Sequence, residues 1–327
     1  MRTYHADHAV QGMTAIFIGT EDHQKFEKIV TLGTLSLKSP IPINEYSEFR
    51  IGPLTQLTTC AILAYFIKEG RVSLEDPVSK FLPKSMVLPT FEGRQMTLVD
   101  LATHTSGLPD IPYSLSSRRT YSISQMYRFL SKYELTHPPG SQYQYSNFGI
   151  AFLANLMSRV AKKAFPDLIQ QTLLFPLGMK ETTFVPRQDQ KKRLVVGYED
   201  GKGISPLLSE KIYSIFIGAG GLYSTPKDLL TFLSFNLKKE RTSLNGILPL
   251  MQTPYHTFRD FQMGLGWKVG RLGVIDEPYY HLGGTLFGFG IYIGMVPNRD
   301  IGVIIITSDG DRDPTPFGEE LVQLMAH

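Results

Sequence analysis

The chain has 327 residues, 42% hydrophobic and 19% charged, which is ample material for a buried core and unlike the composition of a disordered chain. A net charge of +3, with no basic run longer than Lys191-Lys192-Arg193, excludes a nucleic-acid footprint. The single cysteine, Cys60, leaves no partner for an internal disulfide or a thiolate zinc site. The histidines form no His-Glu-x-x-His pattern, so no metal and no cofactor is expected.

The N-terminal stretch, Met1 to His8, is polar where an export signal needs an apolar core, so the chain as written is expected to carry no signal peptide and to be cytoplasmic. No apolar run reaches membrane-spanning length; the longest, Ile301 to Thr307, is strand-sized. Met13 to Gly19 and Lys28 to Leu37 read as two strands separated by a polar turn, Thr20 to Lys25. Leu54 to Glu69 reads as a buried helix closed by Gly70, with Pro53 in the first turn, where a missing N–H costs nothing. Helices dominate from Val72 to Pro206, including Ser124 to Tyr133 and Gly149 to Lys163, with Pro/Gly loops between them. Ser224-Thr225-Pro226-Lys227-Asp228 has the chemistry of a helix start. Phe261 to Thr307 alternates glycine with Tyr, Phe, Ile and Val, as an antiparallel sheet does. Strands at both ends with helices between them predict an α/β (α+β) molecule with one sheet built from both termini and an inserted all-helical region.

Several segments together resemble the class C β-lactamase and penicillin-binding protein superfamily. They are Phe49-Arg50-Ile51-Gly52, Gly70 to Pro77, Leu101 to Pro109, Pro139-Gly140-Ser141 with Tyr145-Ser146-Asn147, Pro176 to Phe184, Gly220 to Pro226, Leu265-Gly266-Trp267 and His281-Leu282-Gly283-Gly284. The likeness runs from about Met13 to Thr307. Thr97 to Ser106 and Pro176 to Phe184 look most like the AmpH-type D-alanyl-D-alanine carboxypeptidases and endopeptidases of that superfamily. It implies a β-lactamase/transpeptidase-like fold in a single domain, 1–327, with a sheet-containing subdomain over about 1–80 and 207–327 and a helical one over about 81–206. It also implies a D-Ala-type peptidoglycan peptide or a β-lactam as ligand. Members of the family are exported to the periplasm and carry a helix before the first strand. Only a dozen residues precede Met13 here, so either a truncated reading frame or a loss of export is expected.

By the same resemblance, catalysis would rest on three motifs, of which the first is altered. A Ser-x-x-Lys tetrad supplies the nucleophile and its base in the family; here the tetrad reads Pro53-Leu54-Thr55-Gln56. Pro53 offers neither a hydroxyl nor a backbone N–H for an oxyanion hole, and Gln56 cannot take up a proton near neutrality. The second motif implies Tyr145 as general base and Asn147 as a substrate-binding amide. The third implies His281 in the place of a lysine, with Gly283 and Gly284 lining the substrate and Gly284 donating to the oxyanion. Leu282 stands where a threonine hydroxyl is usual. Ser224, Cys60 and Ser146 are weaker candidate nucleophiles. Three functions follow as expectations: a degenerate member that binds without turnover, a hydrolase using a non-standard nucleophile, or a scaffold that keeps only the fold.

Overall fold

A computed structural model describes residues 1–7, 10–21, 24–112, 122–204, 215–239, 242–273 and 275–326. The strands are β1 (Gly12–Glu21), β2 (Gln24–Ser36), β3 (Ser39–Pro42), β4 (Phe49–Arg50), β5 (Gly197–Glu199), β6 (Lys202–Ile204), β7 (Tyr223–Ser224), β8 (His256–Thr257), β9 (Gln262–Met263), β10 (Lys268–Leu272), β11 (Ile275–Leu286), β12 (Phe289–Val296) and β13 (Ile301–Thr307). Nine of them form one sheet in the order β3-β2-β1-β13-β12-β11-β10-β9-β8. Its pairings, β1 with β2 and β13, β13 with β12, and β12 with β11, are antiparallel. The antiparallel sheet built from both chain ends is therefore present. The two N-terminal strands are longer than predicted: Thr20 pairs with Lys25 and Glu21 with Gln24, so the polar stretch is mostly strand, and its tip lies outside the described residues.

The helices that position the site are α1 (Arg2–Asp7), α2 (Leu54–Lys68), α3 (Leu98–Ala102), α4 (Ile123–Leu130), α5 (Asn147–Ala161), α6 (Pro226–Asn236) and α7 (Thr315–Ala326). Among the described residues no helix is long and apolar enough to cross a membrane. Strand alternation divides the core into two layers. Ile16 and Ile18 of β1 join a large cluster with α2, α5 and α6, whereas Met13 and Ala15 point to the other face, toward Val322 of α7. Tyr4 of α1 stacks on Phe317 of α7, 4.3 Å between centroids, so a short helix does cover this face before the first strand. Residues Leu54 to Ala64 of α2 are all buried, which is why that helix shows no polar stripe.

The stretch 81–206 departs from the all-helical expectation. Asp200 and Gly201, both at positive φ, make the tight turn of the β5–β6 hairpin. That hairpin docks on the sheet side: the Tyr198 amide donates to the Gly288 carbonyl at 2.9 Å. The boundary expected at 206/207 lies outside the described residues.

Glu48 is fully buried beside β4. Its Oε1 accepts from Gln190 Nε2 at 2.8 Å, Arg193 lies 3.9 Å away, and Oε2 has no hydrogen-bond partner. Burial, opposed by Arg193, pushes its carboxyl up to about 8.

Candidate functional site

The site grows from the start of α2. The β4–β7 pairing brings the chain to Ile51, whose amide donates to the Leu222 carbonyl at 3.0 Å, and Gly52 turns it at φ +38°. Pro53 then already has helical angles, φ −56° and ψ −27°, and its carbonyl accepts from the Gln56 amide at 2.9 Å. A first-turn residue needs no N–H, so proline fits here without strain. Pro53 and Gln56, three residues apart, share a helix face.

That face meets the loop before α5. Gln56 Nε2 donates to Tyr145 Oη at 2.5 Å and to Asn147 Oδ1 at 3.0 Å, while Gln56 Oε1 is buried with no partner. Asn147 passes the chain on, its Nδ2 donating to Asp110 Oδ1 at 2.7 Å and its backbone N–H to the same atom at 3.0 Å. Ser146 caps α5: its hydroxyl accepts from the Gly149 amide at 2.8 Å and donates to the Pro109 carbonyl at 2.7 Å. The helix thus begins at Asn147, two residues earlier than predicted, and this orients the Asn147 side chain. His104, fully buried, accepts the Ser146 amide on Nδ1 at 3.2 Å and lies 4.7 Å from the Tyr145 ring.

Burial, helped by the Asp110 charge and opposed by the Gln56 hydrogen bond, drives the Tyr145 phenol far above its ordinary value. At neutral pH it is an uncharged hydroxyl. Burial first, then Lys268, pushes His104 down to about 3.

The opposite wall is β11. His281 pairs across the ladder with Lys268 of β10, which places both side chains on one face. The His281 ring stacks on Tyr279 at 4.7 Å; its Nδ1 has no hydrogen-bond partner, and Glu319 Oε1 is 3.9 Å away. Burial, then the Lys268 ammonium, pushes His281 down to about 4, so the imidazole is neutral at pH 7. Lys268 is itself lowered by burial, and its Nζ sits 5.4 Å and 5.2 Å from the ring centroids of Tyr143 and Phe261. Beyond His281, β10 no longer accompanies β11, so Leu282 to Leu286 are paired on the β12 side alone among the described residues.

Two glycines set how closely the walls approach. A Cβ on Gly283 would lie 2.0 Å from Thr315 Oγ1 of α7, so only glycine fits. Gly284 has φ +148° and faces Pro53, whose Cγ would be 3.9 Å from any Cβ there. Leu282 is buried in the central core.

Between these walls lies an open cavity of about 450 Å³, lined by Pro53, Tyr145, Asn147, His281, Gly283 and Gly284 and also by residues not singled out in the sequence: Asp110, Tyr143, Lys268, Asp313 and Thr315. Gln56 lies beneath its floor. The weaker nucleophile candidates are engaged elsewhere. Cys60 is fully buried, its thiol pushed up to about 12 by burial. The Ser146 hydroxyl is committed to the α5 cap. Ser224 Oγ, 2.8 Å from Thr182 Oγ1, ends β7, while Thr225 caps α6 by accepting from the Asp228 amide at 3.2 Å. None of the three lines the cavity. Among the described residues no three His, Cys, Asp or Glu side chains converge where a metal could sit.

Comparison with known proteins bears on this geometry. The family model described as Beta-lactamase matches residues 1–324. The D-alanyl-D-alanine-carboxypeptidase/endopeptidase AmpH of Escherichia coli (strain K12) is 33% identical over 284 residues, covering 80% of this chain and 71% of AmpH. A beta-lactamase of the same organism is 24% identical over 320 residues, with 87% of this chain and 81% of that protein covered. Among solved structures, a beta-lactamase/D-alanine carboxypeptidase from Yersinia pestis complexed with citrate superposes with a TM-score of 0.85 at 25% identity, covering 100% of this chain and 95% of that one. A class C beta lactamase from Rhodobacter sphaeroides shares the fold, with a TM-score of 0.83 at 20% identity over 99% of this chain and 97% of that one.

Proposed function

Because the chain belongs to the beta-lactamase family, we propose that it binds D-Ala-type peptides or β-lactams in this cavity without forming the family's acyl-enzyme. One observation carries the reading: Pro53 stands at the head of α2, facing an open cavity, with neither a hydroxyl nor an N–H to offer. Loss of a single oxyanion donor typically costs about a hundred- to a thousandfold in rate, before the missing nucleophile is counted. Gln56 adds to this. Its amide nitrogen sits where a proton acceptor would serve the nucleophile, yet it only donates, to Tyr145 and Asn147.

The binding half of the reading rests on what remains. Asn147 presents a fixed amide, Lys268 a cation for a ligand carboxylate, and Leu282 to Leu286 a strand segment with one edge unpaired among the described residues, along which an extended peptide can add. The proteins it resembles are a D-alanyl-D-alanine carboxypeptidase/endopeptidase and beta-lactamases, and their ligands are the natural probes. Tyr145, His281, Gly283 and Gly284 serve here as contact groups rather than as acid–base machinery.

The test pairs two measurements on the purified protein. After incubation with benzylpenicillin, intact-protein mass spectrometry is expected to find no adduct, while calorimetry finds saturable binding that N-acetyl-D-alanyl-D-alanine displaces. A stoichiometric adduct would overturn the loss of acylation. Absence of binding by either ligand would overturn the ligand-binding role and leave a scaffold.

A further inference from the structure

We infer that the ligand of this cavity carries an amine as well as a carboxylate, and that Asp110 receives the amine; the inference rests on the ligand-binding reading above. Among the described residues, the ionic side chains lining the cavity are one cation, Lys268, and two carboxylates, Asp110 and Asp313. His281, pushed down to about 4, adds no charge at neutral pH. The described lining therefore sums to one positive and two negative charges. A ligand that brings only a carboxylate enters a site already negative. One that also brings an ammonium restores the balance.

The two carboxylates are not equivalent. Asp313 lies in the field of Lys268 and His281, holding both pKa values up against the effect of burial, and its Oδ1 is committed to the Thr315 amide and hydroxyl at 2.9 and 2.6 Å. It offsets Lys268 on the sheet-side wall. Asp110 stands on the other wall. Its Oδ1 takes both Asn147 donors and its carbonyl takes the Phe148 amide at 2.9 Å, which fixes the residue against the start of α5. These donors orient the carboxylate without supplying a cation. The second oxygen makes no hydrogen bond or ion pair among the described residues. The side chain is exposed and borders the cavity, and its charge reaches the Tyr145 phenol. A carboxylate already held in place loses little freedom when a ligand arrives.

A helix start also favours an acidic side chain for stability alone, so the test reads selectivity rather than folding. Ampicillin and benzylpenicillin differ by one side-chain amine, which is charged at about pH 6, below the usual α-amino range of about 7.7–8.0. Calorimetric dissociation constants on the whole chain are expected to favour ampicillin by about fivefold, the size of a partly exposed ion pair. The preference should vanish in Asp110→Asn and shrink in about 0.5 M salt. D-alanyl-D-alanine against its N-acetyl derivative repeats the comparison on the unmodified protein, independently of whether the variant folds. Equal affinities in both pairs would overturn the inference while leaving the ligand-binding reading intact, as would an ampicillin preference that survives Asp110→Asn. No binding by any of the four would overturn the ligand-binding reading and this inference with it.

Discussion

At the scale of single residues, Gln56 holds the site in a neutral, donor-saturated state. Its Nε2 supplies hydrogen bonds to both Tyr145 and Asn147, so Gln56→Leu would leave the part-buried Tyr145 hydroxyl without a donor and Asn147 Oδ1 with the Tyr145 hydroxyl at 3.3 Å alone. We expect a loss of about 1–3 kcal/mol in urea denaturation, the usual cost of orphaned buried polar groups. Unchanged stability would mean that water replaces the lost donor. Cys60 offers a second check. Its thiol is fully buried and, with a pKa pushed up to about 12, is uncharged at neutral pH. It should give no thiol signal with a disulfide reagent until denaturant unfolds the chain; rapid labelling of native protein would contradict this packing.

At the scale of elements, α2, β11 and α7 determine what the cavity can become. Gly283→Ala would drive a Cβ to 2.0 Å from Thr315 Oγ1 and is expected to cost about 1–3 kcal/mol, relieved when Thr315→Ala is added. Gly270→Ala on neighbouring β10, where a Cβ meets nothing within 4 Å, is the neutral control. Pro53 already has helical angles and Gln56 Nε2 already touches Tyr145 Oη. The double variant Pro53→Ser/Gln56→Lys should therefore gain a penicillin adduct in intact mass spectra, and neither single variant should. Failure of the double variant would locate the loss of acylation elsewhere. Much of this layer is legible in the sequence because it follows local rules: the Thr225 cap with Pro226 behind it, the glycine stop at Gly70, the alternation that marks β11 to β13. The rest depends on pairing between distant strands. Lys268 joins the site because it lies opposite His281, one residue beyond the Trp267 noticed in sequence, and Asp110 follows the Pro109 that ends another noticed segment. The Asp200-Gly201 dipeptide was itself a hairpin signal, set among helical text that masked it.

For the whole molecule, three titratable groups, the buried His104 and Glu48 and the half-buried His281, set opposing pH demands. His104 and His281, pushed down to about 3 and about 4 from 6.5, give stability that is full above 6.5 and lost as pH falls toward those values. Glu48, raised from 4.5 to about 8, gives stability that is full below 4.5 and lost as pH rises through about 8. Near about pH 6.5 the two unfolded imidazoles bind about one proton between them, matching the proton the folded state holds on Glu48. These groups together therefore place maximum stability close to that pH. Thermal melts between about pH 5 and pH 9 should show the maximum, and Glu48→Gln should flatten the alkaline limb and move the peak upward. An alkaline limb unchanged in that variant would remove Glu48 as its cause.

The seam between β1 and β13 has a consequence for how the molecule is made. The Gly12 amide donates to Ser308 Oγ, 296 residues further along the chain, and Met13 faces Thr307 in the same seam. During synthesis from the N-terminus, the β1–β2 hairpin emerges early and must wait for almost the whole chain before its second edge is covered. Closing so long a loop adds only a slowly growing entropic cost, but the wait leaves the apolar strand Met13 to Ile18 unpaired on one side. Chains that stop before Ile301 would keep that edge open permanently, so nascent or truncated forms are where this protein is most exposed to aggregation.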